Sequence, residues 1–288
     1  MATHVRAWVD GLVDGRSLPS ATARVVQVLR SDPEVAAFAT AGAVAALAGV
    51  NIATVTRAAQ SLGFEGWPDL SRDYRGHYLA SLTADRLVRT GDGSEENDED
   101  ASTAVSSVMD DVRALQNLAD TLSGREVERA AALVRGARRA VVLATGMFAS
   151  PAHVLAYNGQ LLGCDIELCA GSASSQLNAV RALGRDDLLV VFTIWKTTEA
   201  VNRLALFAAE RGVPLLVIAD RSTPVTDAAD LVLMVQSETP RYLPSTIPAT
   251  SVVQAVVREI VDLDRDRATR ELREADAMWR DLGIVVED

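Results

Sequence analysis

Five short and almost unbroken apolar runs, at 140–144, 166–168, 188–192, 215–218 and 231–235, constrain the fold of this chain more than any other feature. A strand with one wet face alternates polar and apolar residues, whereas a strand covered on both faces reads as a continuous apolar run. The runs alternate with segments of helical spacing at about 152–162, 175–183, 198–211 and 250–263. Strand, crossover helix and strand in that order close right-handed and place helices on both faces of a parallel sheet. The expectation is an α/β three-layer domain of flavodoxin type with a five-stranded parallel sheet.

The first 80 residues follow a different rule and read as all-α. Val25, Val26 and Leu29 form one stripe that ends at Ser31, Asp32 and Pro33, and Val35 and Phe38 follow on a second short helix. The stretch 40–64 then reads as two short helices meeting at a tight turn. Val44, Leu47 and Ala48 fall inward on the first, Gly49 supplies the positive φ of the turn, and Asn51 caps the second by accepting from the amide of Thr54. On the second helix Ile52, Val55, Ala59 and Leu62 take the inward spacing. Asn51, Thr54, Thr56, Arg57 and Gln60 are left outward, all of them able to bond bases or phosphates. An ordinary αα-hairpin in a helical bundle needs only the apolar spacing and the glycine, so the pattern by itself leaves both readings open.

Between the two regions, residues 90–100 hold two glycines and a dense set of acids with nothing apolar to bury. The organisation expected is a helix-turn-helix domain at 1–80, an acidic linker at 81–104 and an effector-binding and dimerisation domain at 105–288. In the last of these, Val108, Met109, Val112, Leu115, Leu118 and Leu122 suit one helix face, and Val127, Ala130, Ala131 and Val134 the next. At the C-terminal end, Ala268, Leu272, Ala275 and Trp279 recur at helical intervals, a helix for the same domain or for a partner subunit.

With 49% hydrophobic and 23% charged residues, the chain can build two cores, which excludes disorder throughout. No apolar run approaches the roughly 18 residues of a membrane span, and charges at Arg6, Asp10, Asp14 and Arg16 interrupt any signal-peptide core, so a cytoplasmic protein without a membrane partner is expected. Cys164 and Cys169, the only cysteines, stand at no zinc-ligand spacing and read as buried thiols; no metal and no cofactor are expected. A formal charge of -11 opposes DNA binding, since phosphate neutralisation supplies much of the affinity. Residues 1–80, however, balance seven arginines against seven acids, so the negative excess lies downstream. A neutral head on an acidic body implies weak non-specific binding, strong salt dependence and reliance on dimerisation.

In an open parallel sheet, ligands sit beyond the carboxyl ends of the strands, where helix N-termini favour anions. Three segments lie there: Thr145, Gly146 and Ser150 after the first strand, Ser172, Ser174 and Gln176 after the second, and Thr193, Trp195, Lys196, Thr197, Thr198 and Glu199 after the third.

Residues 20–70 resemble the N-terminal domain of the RpiR/MurR family of bacterial transcriptional regulators. The resemblance rests on Thr40 as a cap, Leu47-Ala48-Gly49-Val50, Ala53-Thr54-Val55 with Arg57, Leu62-Gly63-Phe64, Gly66 and Trp67-Pro68. Gly42, which costs about 1 kcal/mol relative to alanine inside a helix, and Asn51, where the family usually has serine, depart from the pattern. The loops above, Asp187 and the turn from Arg211 to Pro214 resemble the SIS (sugar isomerase) domain that follows in such regulators. The resemblance implies a phosphosugar site with a Gly-x-Gly-x-Ser-like first loop and a Ser-x-Ser-Gly-x-Thr-like third loop. Gly146, Ser150, Gln176, Thr193 and Thr198 match. Phe148, Ala149, Ser174, Trp195 and Lys196 do not, and each exchange of glycine for a side chain removes a close approach of backbone to phosphate.

Three readings follow for this SIS-like domain. Lys196, the only lysine of the chain, replaces backbone amides as the anion contact; or Trp195 and Phe148 line a less polar cavity for a different metabolite; or the side chains fill the pocket and the domain only dimerises. For an isomerase, His153 and Glu199 are the acid–base candidates, but a helix N-terminus favours an acid without any chemistry. The expectation is a non-enzymatic, ligand-responsive regulator of carbohydrate or related metabolism. A homo-oligomer, dimer or tetramer, would bind double-stranded operator DNA through Thr40, Asn51, Thr54, Thr56, Arg57 and Gln60. Its small-molecule effector, a phosphosugar or an altered ligand, would be held by Gly146, Ser150, Ser172, Ser174, Gln176, Thr193, Trp195, Lys196, Thr197 and Thr198. A sugar-phosphate isomerase is the alternative.

Overall fold

The structure, a computed structural model, describes residues 3–81, 103–235, 237 and 244–284. Almost all of the expected acidic linker lies outside the described residues. The chain divides into two compact units, residues 1–110 with 238–244 and residues 111–237 with 245–288.

The first unit packs six helices: α1 (Thr3–Val13), α2 (Ser20–Ser31), α3 (Pro33–Phe38), α4 (Ala41–Ala48), α5 (Ile52–Ser61) and α6 (Trp67–Ala80). Its core joins Val9, Val25, Leu29, Val44, Val55, Ala59, Leu70 and Tyr74. The Tyr74 hydroxyl donates to the carbonyl of Leu29 at 2.6 Å, which satisfies the one polar atom of a wholly buried ring. Trp8 of α1 stacks on His77 and meets Phe64 and Tyr74 edge-on, closing the unit around α6.

The second unit carries α7 (Thr103–Thr121, whose first turns belong to the other unit), α8 (Gly124–Gly136), β1 (Ala140–Leu143), α9 (Ala149–Leu161), β2 (Ile166–Cys169), α10 (Ala173–Arg181), β3 (Leu188–Thr193), α11 (Glu199–Glu210), β4 (Leu215–Ala219), α12 (Pro224–Asp227), β5 (Leu231–Met234), α13 (Ile247–Leu263) and α14 (Arg265–Asp281). All pairings are parallel, in the order β2-β1-β3-β4-β5. Two cores flank the sheet. Val142, Val190, Phe192 and Ile218 pack on α8, α9 and α13; Val141, Leu189, Val191 and Val217 pack on α10 and α11. The continuous apolar runs are therefore strands covered on both faces, and the three-layer expectation holds.

Three apolar residues expected inward on α7 point outward instead: Val108, Met109 and Val112 are exposed, while Leu118 is buried and Leu115 and Leu122 partly so. On α14 only Ala268 is buried, in the domain's own core, and Arg267 donates to the carbonyl of Gly163 at 2.8 Å; Leu272 is exposed. Among the described residues, no single helix is long and apolar enough to cross a membrane.

Candidate nucleic-acid interface and ligand loops

In the first unit the chain turns by 96° between α4 and α5, the angle range of a helix-turn-helix. Gly49 makes the turn at φ 62°, a left-handed conformation that costs other residues roughly 1–2 kcal/mol, and nothing surrounds the position where a Cβ would stand. Thr40 caps α4 by accepting from Ala43 N, and Asn51 caps α5 by accepting from Thr54 N at 2.8 Å.

The outward side chains of α5 are linked. Arg57 Nη2 donates to Thr54 Oγ1 at 3.3 Å, and Thr54 Oγ1 donates to Asn51 Oδ1 at 2.9 Å. The relay holds the guanidinium along the exposed face of the helix, where a planar five-donor group can grip a guanine edge or a phosphate. Thr56 turns toward Gly66, with its hydroxyl on the Ile52 carbonyl, and Gln60 donates to the Glu65 carbonyl. Asn51, Thr54 and Arg57 thus form one group, and Thr56 and Gln60 a second beside the α5–α6 turn.

Two apolar placements differ from expectation. Leu47 and Ile52 were expected inward, yet they are 58% and 57% exposed, whereas Val55, Ala59 and Leu62 are buried. Leu47 stands in the last turn of α4 and Ile52 opens α5, and at helix ends the inward stripe has no neighbouring element left to cover it.

In the second unit the ends of β1, β2 and β3 lie in register, with Leu143 opposite both Cys169 and Val191, so their following loops gather at one end of the sheet. β1 and β3 are spatial neighbours whose chains leave in opposite directions, the switch point where such sheets bind ligands. Ser150 and Gly146 are exposed there. Ser172 caps α10 from Ser175 N and bonds Ser175 Oγ, Ser174 is exposed, and Thr198 caps α11 from Val201 N. Gln176 is buried and donates to the Cys169 carbonyl at 3.3 Å, which braces the second loop from beneath. Thr193 is buried too, and its hydroxyl has no hydrogen-bond partner among the described residues.

The third loop is shaped by a residue the sequence reading passed over. Trp195 has φ 58°, the one positive φ outside glycine among the described residues. Its backbone N–H donates to Asp220 Oδ2 at 2.7 Å, and Ser237 Oγ donates to the same oxygen at 3.3 Å. Asp220 follows β4 directly, and the pairing of Thr193 with Ala219 sets it beside the loop. Burial pushes its carboxyl above the ordinary value, against the pull of Arg221, whose Nε stands 3.4 Å from Oδ1, and of the Trp195 and Ser237 donors. Lys196 Nζ lies 5.1 Å from the centre of the Trp195 ring, a cation–π pair.

Phe148 is buried in the sheet's core with Ala144 and Ala152, and Trp195, partly buried, packs against that same core. Glu199 pairs with Arg203 one turn on, both well exposed, and His153 lies 6.1 Å from Tyr157 on the surface of α9. Cys164 is buried, its thiol pushed up by burial, but Cys169 is only half-buried, a correction to the reading of two buried thiols. No group of three metal-ligating side chains exists among the described residues.

The helix-turn-helix domain of the rpiR family matches residues 14–77, which spans α2 to most of α6. The sugar isomerase domain of an RpiR transcription factor from Sphaerobacter thermophilus aligns over 62% of this chain and 99% of its own, with a TM-score of 0.58 and 24% identity. The Vibrio vulnificus NanR protein, solved in complex with ManNAc-6P, aligns over 96% of this chain and 98% of its own, with a TM-score of 0.62 and 16% identity. No curated protein matches the sequence. The chain thus joins a helix-turn-helix domain that matches the rpiR family to a domain with the fold of a sugar isomerase domain.

Proposed function

We propose that the protein is a ligand-responsive DNA-binding regulator that meets a pseudo-palindromic operator as a homodimer or a dimer of dimers. The observation that carries this reading is the linked group of Asn51, Thr54 and Arg57 on the second helix of a helix-turn-helix, with Asn51 and Arg57 exposed. In this reading Arg57 and Asn51 donate to base edges, Thr40 and the first amides of α4 hold a phosphate, and Thr56 and Gln60 reach the flanking backbone. Footprinting with the full chain should protect two half-sites one helical turn, or a multiple of it, apart. Uniform protection or none would overturn the assignment.

The sugar-isomerase-fold domain acts as sensor, not as catalyst, and regulates carbohydrate or related metabolism through its ligand. NanR with ManNAc-6P supports a sugar phosphate or a related molecule as the ligand class. The hydroxyls of Ser150, Ser172, Ser174, Thr197 and Thr198, the Lys196 ammonium and the turn at Gly146 offer the contacts, with Gln176, Thr193 and Trp195 shaping the floor. Because the Trp195 amide is already spent on Asp220, the form of this reading in which the Lys196 ammonium replaces backbone amides as the anion contact is favoured. The ligand shifts DNA affinity only by binding two arrangements of the heads unequally.

A further inference from the structure

We infer that Ile52 reads a thymine methyl group, an inference that rests on the DNA reading above. Ile52 is the first residue of α5 and lies 57% exposed, although the three other apolar residues of its spacing, Val55, Ala59 and Leu62, are buried. Its Cδ1 stands 3.9 Å from where a Cβ would project at Gly42, and Thr40 Oγ1 stands 3.8 Å from that same point. The side chain is therefore laid against the first turn of α4, beside the Thr40 cap and one residue from the Asn51 cap. Both helices begin here, and their free amides favour phosphate.

That position matters because the N-terminal residues of a recognition helix are the ones that reach base edges in the major groove. Ile52 is the apolar member of a set whose others are polar: Asn51 before it, Thr56 one turn along, and Arg57 across the exposed face. A β-branched side chain holds one strongly preferred χ1 rotamer in a helix, so its methyl surface is fixed before DNA arrives. The one apolar group that a base pair displays in the major groove is the C5-methyl of thymine. The glycine at 42 puts no side chain of α4 against Ile52 Cδ1.

The test uses the full chain and the duplex that it enriches from random-sequence DNA. Each thymine of one half-site is replaced in turn by deoxyuridine, which removes the methyl and keeps the Watson–Crick edge. The expected result is one thymine whose replacement weakens wild-type binding about fourfold, the loss of roughly one CH₂-sized contact. The same replacement should leave Ile52→Ala unaffected and penalise Ile52→Val by an intermediate amount. Leu47→Ala, equally exposed but in the last turn of α4, should keep the full penalty. If no replacement weakens the wild type, or if the penalty is the same in Ile52→Ala and Ile52→Val, the inference fails while the DNA reading stands. If no duplex is enriched at all, the DNA reading fails and takes the inference with it.

Discussion

The backbone N–H of Trp195 donates to Asp220 Oδ2 at 2.7 Å, so an amide of the loop after β3 is already taken by an acceptor that the chain itself supplies. Phosphate binding at such loops depends on amides turned toward the ligand. Here the amide at the left-handed residue is turned toward β4 instead, and a carboxyl group, 1% exposed, occupies it. The same contact explains how a tryptophan is held at φ 58°, since the Asp220 bond and the packing of its ring against the core offset a cost of about 1–2 kcal/mol.

Asp220 should leave a signature in stability against pH. Its folded-state pKa is raised by burial above the ordinary 3.8, so the native state binds the proton more tightly than the unfolded chain. Stability from this group is therefore greatest at pH below 3.8 and falls as pH rises from there through the raised value. Denaturant melts of the wild type and Asp220→Asn across that window should show the wild type losing ground, at no more than about 1.4 kcal/mol per pH unit. A pH-independent difference between the two would show that the carboxyl does not titrate on unfolding.

The ligand loops can be probed by thermal shift with a panel of hexose 6-phosphates and the same sugars without phosphate. A ligand at a hundred times its Kd stabilises by about 2.7 kcal/mol, which is readily measured. Ser150→Ala and Lys196→Ala should each reduce the shift, Lys196→Ala most for the phosphorylated sugars. A shift that survives both substitutions would place the ligand elsewhere.

Asn51 caps α5 and, in the proposed reading, also contacts DNA, and the two roles can be separated. Asn51→Ala loses the cap on Thr54 N and should cost about 1 kcal/mol, while Asn51→Ser keeps a capping oxygen and should cost a few tenths at most. Chemical denaturation gives the order. DNA affinity should fall in both, because neither keeps the amide donors.

Close packing of α9 on β2 depends on Gly159. A Cβ there would stand 2.7 Å from Ile166 Cγ2, inside any real contact, so Gly159→Ala must displace the buried Ile166 side chain, the helix or the strand. The expected loss is about 1–3 kcal/mol, confined to the second unit. An unchanged melting temperature would mean that the helix moves away at no cost.

The strands, the Gly49 turn and the Asn51 cap were legible in the sequence because each is fixed by residues close together along the chain. Ile52 and Leu47 were misread because periodicity says which face a residue takes but not whether a neighbouring element extends far enough to cover it. Val108, Met109 and Val112 follow the same logic on α7. Phe148 looked like a pocket residue from its place after a strand, yet the short 3₁₀ turn Gly146–Phe148 rotates it into the core. The role of Asp220 was invisible for a different reason: it meets Trp195 only through the register of β3 on β4, and no local pattern announces a contact 25 residues away.

The central claim is that α5 is the DNA-reading helix of a specific regulator. Its most direct test is selection of bound fragments from the source genome at moderate salt, with the full chain and its Arg57→Ala variant side by side. The account predicts that the wild type enriches a pseudo-palindromic site and that Arg57→Ala, equally stable, binds it at least tenfold more weakly, the loss of one good base or phosphate contact. Equal enrichment by both proteins, or by neither, would contradict it.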